Sequence, residues 1–202
     1  FMINTKNNIS YFDKKSSNYN YKSYSFPWSI IRNLEAKIVV KLIGNIKDSC
    51  VFDIGCGSGF YTRLMIKNKA KKVYALDGSK KMLNNINLKN VVKINQNAEK
   101  FQLNKKFNKI ICAGLLEFVN SPELVLQNIK KHALKDCRLV ILCPSDNLLG
   151  KLYKFYHSRN NIEIKLFDII KFAKTLKKTG WSIISSKYVL FSHVILVKSI
   201  YE

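Results

Sequence analysis

The sequence predicts an α/β domain: a mostly parallel sheet, doubly wound, with helices on both faces. Three observations predict it. Short apolar runs at 50–54, 72–77, 91–95, 109–114 and 138–143 alternate with helical segments. The connections between them are short, without repeat or linker, so the strands follow one another through right-handed crossovers. The first run leads straight into glycines two apart, Gly55, Gly57 and Gly59 in "VFDIGCGSGF". Such a turn lets something approach the main chain after a buried strand. At 202 residues the chain has the length of one domain.

The elements follow in order. Residues 1–26 are polar, carry tyrosines at 11, 19, 21 and 24 without clear period, and read as a loose arm. They lack the apolar stretch of a secretory signal. From Pro27, "PWSIIRNLEAKIVVKLIG" sets Ile30, Ile31, Leu34, Ile38, Val39 and Leu42 on one helical face, punctuated by Pro27 and Gly44. "CVFDI" (50–54) is a buried strand, "YTRLMIKN" (61–68) a helix and "KVYALD" (72–77) a strand. "SKKMLNNINL" (79–88) is a helix capped by Ser79. "VVKIN" (91–95) and "KIICAG" (109–114) are strands. "SPELVLQNIKKHAL" (121–134) is a helix with Ser121 as cap and Pro122 at its first position, and "RLVILC" (138–143) is a strand. After Pro144 the rhythm breaks, and 145–163 read as an irregular excursion holding Tyr153, Tyr156 and His157. A helix over 165–180 precedes two strands, 181–188 and 191–199, whose short connection makes them antiparallel.

Composition narrows the function classes. No apolar run reaches the roughly 18–20 residues a bilayer span needs. The five cysteines, Cys50, Cys56, Cys112, Cys137 and Cys143, form no CxxC pair and sit mostly in strand-like runs. Buried free thiols in a reducing cytoplasm fit them better than disulfides or a metal site, and no metal is expected. The net charge of +22 points toward acidic partners. It is almost all lysine, with arginine only at 32, 63, 138 and 159. Arginine is the residue that reads bases and clamps phosphates. Lysine with abundant Asn and Ile also fits the drift of an AT-rich genome onto solvated faces.

In a doubly wound sheet the ligand sits at the carboxyl ends of the strands, where the glycine turn lies. The third glycine comes one place early for the GxGxxG of a pyrophosphate site, and Phe60 takes the last position. The turn therefore suits a ligand with a compact, uncharged middle. Asp77, 24 residues after Asp53, ends the second strand. An acid there can accept both hydroxyls of a ribose. It can also simply cap the helix that begins near Ser79.

These motifs resemble those of class I S-adenosylmethionine-dependent methyltransferases. "VFDIGCGSGFYT" is similar to that superfamily's first motif, "VYALDGSKKML" to its second, and "INQNAEKFQL" (94–103) to the segment that meets the adenine. The stretch 107–145 resembles the fourth strand, its helix and the fifth strand, and "FAKTLKKTGWSIISS" (172–186) the closing helix and strand. The resemblance implies a Rossmann-like, seven-stranded sheet with an antiparallel end. It implies that S-adenosyl-L-methionine is the cofactor. Gly55, Cys56, Gly57 and Gly59 would then surround the methionine moiety and ribose, with Asp53 helping to hold the methionine amino group. Asp77 would take the ribose hydroxyls, Gly78 and Met82 would pack on the adenine, and Asn97 and Ala98 would meet its edge. Asn97 stands where many relatives have an aspartate. Ala113 and Gly114 would face the cofactor with backbone atoms.

The acceptor is less legible. The fourth strand ends "CAGLLEF", without the Asn/Asp-Pro-Pro-aromatic motif of exocyclic-amine base methylation, and Cys143-Pro144 reads as a buried residue and a breaker. Methyl transfer needs alignment, exclusion of water and, for some acceptors, a base. Glu117 and His157 are the candidates; His132 and His193 are less suited. Relatives place substrate recognition in the N-terminal segment and after the fifth strand. Here those stretches carry Tyr19, Tyr21, Tyr24, Phe26 and Trp28, then Leu148, Leu149, Leu152, Tyr153, Phe155 and Tyr156. Such lining suits a small apolar or aromatic acceptor, with transfer to oxygen. Residues 1–26 and 145–163 are expected to form a lid on a domain of 27–202. Nucleic acid, protein, an acidic carrier protein bearing the acceptor, and a binding protein without turnover remain the alternatives.

Overall fold

A computed structural model describes the backbone of residues 5–23 and 28–200, and the side chains of 5–16 and 29–200. Tyr24 and Phe26 lie outside the described residues, as do the side chains of Tyr19, Tyr21 and Trp28.

Seven strands form one sheet: β1 Cys50–Ile54, β2 Lys72–Asp77, β3 Val91–Asn95, β4 Phe107–Ala113, β5 Ala133–Pro144, β6 Trp181–Val189 and β7 Ser192–Ser199. Their spatial order is β3-β2-β1-β4-β5-β7-β6. The pairs from β3 through β5 are parallel, and β7 runs antiparallel to both β5 and β6. The fold is the Rossmann-like α/β sheet that the sequence predicts.

Both faces of this sheet are covered, which is why its strands read as continuous apolar runs. Successive residues of β1 serve opposite cores: Val51 packs with Val39, Ile43 and Met65, while Phe52 packs with Phe101, Phe107 and Leu126. The first core lies under α2 (Trp28–Ile43) and α3 (Phe60–Lys67). The second lies under α5 (Pro122–Lys131) and α7 (Ile169–Lys178), with Trp181 fully buried and its indole N–H donating to Leu126 O at 3.1 Å.

Four expectations need correction. Residues 5–23 are not a loose arm but helix α1 (Thr5–Ser23), and 148–158 form helix α6 (Leu148–Ser158) inside the supposed irregular excursion. Helix α4 covers only Lys80–Asn84, because Ile86 turns inward to pack against the glycine turn. Strand β5 begins at Ala133, not near 138, because Phe107 N–H bonds His132 O at 2.8 Å and Ala133 pairs with Phe107. The two capping serines do cap: Ser79 accepts from Met82 N–H and Ser121 from Leu124 N–H.

Candidate active site

The sheet order reverses at β1, so the crevice opens above the carboxyl ends of β1 and its neighbours. The glycine turn sits there. Gly55 and Gly57 have φ of 69° and 53°, a left-handed conformation that side chains resist. A Cβ on Gly55 would strike Leu115 at 2.8 Å, whereas one on Gly57 would meet nothing within 4 Å. Gly57 therefore presents bare backbone to open space. Its turn is tied to β2 by Gly55 and Cys56 N–H groups donating to Leu76 O at 2.8 and 3.0 Å.

Asp77 holds the same region together. One carboxylate oxygen accepts from Gly57 N–H and the other from Ser79 N–H, both at 2.8 Å. Burial raises its pKa. Each oxygen retains a further lone pair.

Two adjoining cavities meet at this turn. The first, about 90 Å³, takes Gly55, Gly57, Asp77, Gly78, Met82, Asn97, Ala98 and Gly114 from the predicted set. The second, about 450 Å³, takes Gly55, Cys56, Gly57, Ala113 and Gly114, and with them Glu117 and His157. Phe12 and Phe118 line both. Two predicted residues line neither. Asp53 is 1% exposed and accepts from Thr62 Oγ1 at 2.6 Å, behind the turn, with burial pushing its pKa up to about 7. Gly59 faces Ile86, where a Cβ would come within 2.8 Å. Asn97 lines the first cavity, but its Oδ1 already accepts from Glu99 N–H at 2.7 Å.

The residues that the sequence reading missed come mainly from α1. Thr5, Asn8, Ile9 and Phe12 line the first cavity at helical spacing. Half of that stripe is polar, so hydrophobic periodicity conceals it. Each polar residue has a distant partner: Thr5 Oγ1 donates to Glu99 at 2.8 Å, Asn8 Nδ2 to Phe118 O at 2.7 Å, and Ser79 Oγ bonds Asp13. Ile9 lies over Gly78, whose Cβ, if present, would be 2.7 Å away.

The second cavity gathers titratable groups whose pKa values burial shifts. Glu117 follows β4 on a single 3₁₀ turn, is 3% exposed, and burial pushes its pKa up to about 8. Its Oε2 has no hydrogen-bond partner among the described residues, and Oε1 lies 3.8 Å from where a Gly114 Cβ would be. His157, on α6, sits edge-on among Phe118, Tyr153 and Tyr156, and its buried Nδ1 has no hydrogen-bond partner among the described residues. Burial, with Lys15 adding to it, lowers its pKa to about 4, so the ring is neutral at neutral pH. Glu35 of α2 lines the same cavity, its pKa raised by burial, and its charge adds to the rise at Glu117. The other histidine and thiol candidates are structural. His132 accepts from Leu103 N–H at 3.0 Å, and Cys143 is fully buried with its thiol pKa pushed up.

The comparisons with known proteins point one way. A family described as a methyltransferase domain matches residues 28–186. A tRNA U34 carboxymethyltransferase of Glaesserella parasuis is 27% identical over 113 residues, which is 51% of this chain and 35% of that protein. The chain thus matches about a third of the length of that curated relative. Among solved structures, magnesium protoporphyrin IX methyltransferase of Synechocystis PCC 6803 with bound SAH superposes with a TM-score of 0.77 at 18% identity, covering 97% of this chain and all of that one. The DhpI–SAH complex gives 0.78 at 18%, covering 98% of each chain.

Proposed function

This chain belongs to the S-adenosylmethionine-dependent methyltransferases, and on that premise we propose that its acceptor is a small apolar or aromatic molecule methylated on oxygen. The observation that carries this reading is the second cavity. At about 450 Å³ it has the size of a small-molecule site, and it adjoins the glycine turn. Aromatic side chains, among them Phe12, Phe60, Phe118, Tyr153 and Phe191, form the largest group on its wall, beside the charged Lys14, Lys15, Arg32 and Glu35. Among the described residues, Glu117 Oε2 and His157 Nδ1 are buried without a hydrogen-bond partner.

The residues of the first cavity fit the cofactor chemically. Gly57 leaves backbone open, Asp77 offers carboxylate lone pairs for a diol, and Met82 and Ala98 supply an apolar wall. Its volume of about 90 Å³ is below the roughly 300–1,000 Å³ of occupied ligand pockets, so α1 has to yield for the nucleoside to enter. That supports α1 as the N-terminal part of a lid; from 145–163, Tyr153, Tyr156 and His157 line only the second cavity.

When bound, S-adenosylmethionine supplies a methyl group already activated on sulfur. The chain's own work is alignment and proton removal. The aromatic walls exclude water and hold a flat acceptor against the glycine turn. His157 stays neutral and accepts a hydrogen bond from the acceptor's hydroxyl. Glu117, with a pKa near operating pH, is the better-matched proton acceptor once ionised. Five free cysteines fit a reducing cytoplasm.

A second reading draws on the basic charge of +22 and the tRNA-modifying relative: an RNA, protein or carrier-bound acceptor. One experiment separates these. Cell extract is incubated with the protein and methyl-labelled S-adenosylmethionine, then fractionated. Label in a small-molecule ether or ester is the expected outcome. Label in RNA, or in protein, overturns the proposed acceptor class while keeping the family.

A further inference from the structure

Helix α6 has two apolar faces. One turns inward: Gly150 is buried, Tyr153 stacks on Phe191 with centroids 5.0 Å apart, and His157 meets Phe118. The other faces solvent. Leu148, Leu149, Leu152, Phe155 and Tyr156 are 75, 43, 58, 61 and 50% exposed. At 3.6 residues per turn these five fall within an arc of roughly 120°. Lys151, exposed, runs beside the stripe, and Arg159, the exposed C-cap residue, lies in line with it. A helix of an ordinary globular surface shows polar residues on that side.

The apolar surface continues onto the β6–β7 hairpin. Asn147, which caps α6, donates to Leu190 O at 3.1 Å and bonds the Tyr188 hydroxyl. Tyr188 and Leu190 are themselves about half exposed. Leu190 takes φ of 52°, a turn position that favours glycine or asparagine. A leucine held there and left in water stabilises nothing inside the fold. The same two elements reach the second cavity: Tyr153, Tyr156 and His157 of this helix and Phe191 of this hairpin line it.

We propose that this face docks on an anionic lipid surface, from which an apolar acceptor reaches the second cavity. The charge complements such a surface: +22 over the chain, nearly all lysine, with Lys187 of β6 also exposed beside the hairpin. A nucleic-acid partner would leave the leucines and Phe155 without use. An amphipathic stripe flanked by lysines lies in the plane of an interface, with its apolar side chains below the headgroups. Among the described residues no helix is long and apolar enough to cross a membrane, so the contact is at the surface. Delivery of acceptor rests on the proposed function; docking itself does not.

The test uses the full chain and vesicles of phosphatidylcholine, alone or mixed with phosphatidylglycerol, in a sedimentation assay at low salt. The protein should partition onto the mixed vesicles, hardly onto the neutral ones, and release as salt rises. Leu152→Ser/Phe155→Ser should lower that partition by at least about tenfold. Leu148→Ser/Leu149→Ser should act in the same direction. Neither pair lines a cavity, so melting temperature and binding of the demethylated cofactor, read by calorimetry, should hold. Loss of cofactor binding in the unsubstituted chain would sink the proposed function and leave the docking result standing. Docking is overturned by any of three outcomes: no vesicle binding, binding that the substitutions leave intact, or a dimer of this chain that they dissociate.

Discussion

Asp77 ties backbone and ligand together. Its two oxygens already accept from Gly57 and Ser79 N–H groups, so the carboxylate fixes the turn that it is proposed to share with a ribose. Charge-assisted hydrogen bonds contribute roughly 1.5–3 kcal/mol each. Asp77→Ala should weaken binding of the demethylated cofactor by at least about tenfold in calorimetry, with the fold retained and the melting temperature a few degrees lower. An unchanged dissociation constant alongside the lower melting temperature would make Asp77 a cap alone. The acid was legible in the sequence because it ends a strand at a recognisable distance from the glycines. The state of Asn97 was not. Its Oδ1 is held by Glu99 N–H in a local turn, which no pattern in the sequence announces. Glu117 and His157 were legible as titratable residues. Their shifts in opposite senses were not, because burial of each depends on elements far away in the chain.

Helix α1 shows how an element can escape a hydrophobicity reading. Thr5 and Asn8 occupy its inward face, and only their bonds to Glu99 and Phe118 reveal it as inward. Helix α6 escaped for the opposite reason: apolar residues on both sides blur a single stripe. Most strands were legible to within a residue or two, since burial on both faces leaves little pattern to misread; the start of β5 was not, because its exposed Leu134–Asp136 breaks the apolar run. The proposed lid gives α1 a measurable role. Asn8→Ala/Asp13→Ala removes its bonds to Phe118 O and Ser79 while leaving the cavity floor intact. Cofactor dissociation in stopped flow should then accelerate by about tenfold or more, for two lost bonds of about 1 kcal/mol each. Hydrogen exchange should show α1 amides less protected in the free variant. Unaltered dissociation would remove α1 from the exchange pathway.

Across the whole molecule, several buried carboxyls share one electrostatic sign. Burial raises Glu117 to about 8 and Asp53 to about 7, and raises Glu35 and Asp77 as well. Each binds its proton more tightly folded than unfolded, so its stabilising contribution is full below the unfolded pKa and is lost as pH rises through the folded one. His157, lowered to about 4, works the other way, but its contribution is complete above roughly pH 6.5. Between about pH 6.5 and 8.5 the carboxyls dominate. Stability should fall there by on the order of 2 kcal/mol, several degrees in a thermal melt. Glu117→Gln should flatten much of that slope, and a melting temperature that rises with pH would contradict the burial. The docked α1 also has a consequence in time. Thr5 bonds a side chain 115 positions downstream, at Asn120. At a ribosomal pace of about 5–20 residues per second, the helix waits roughly 6–23 s for its binding partners to be made. Helix α1 therefore cannot be fully seated until Asn120 has been made, and a chaperone that recognises nascent apolar side chains has that interval in which to find Ile9 and Phe12.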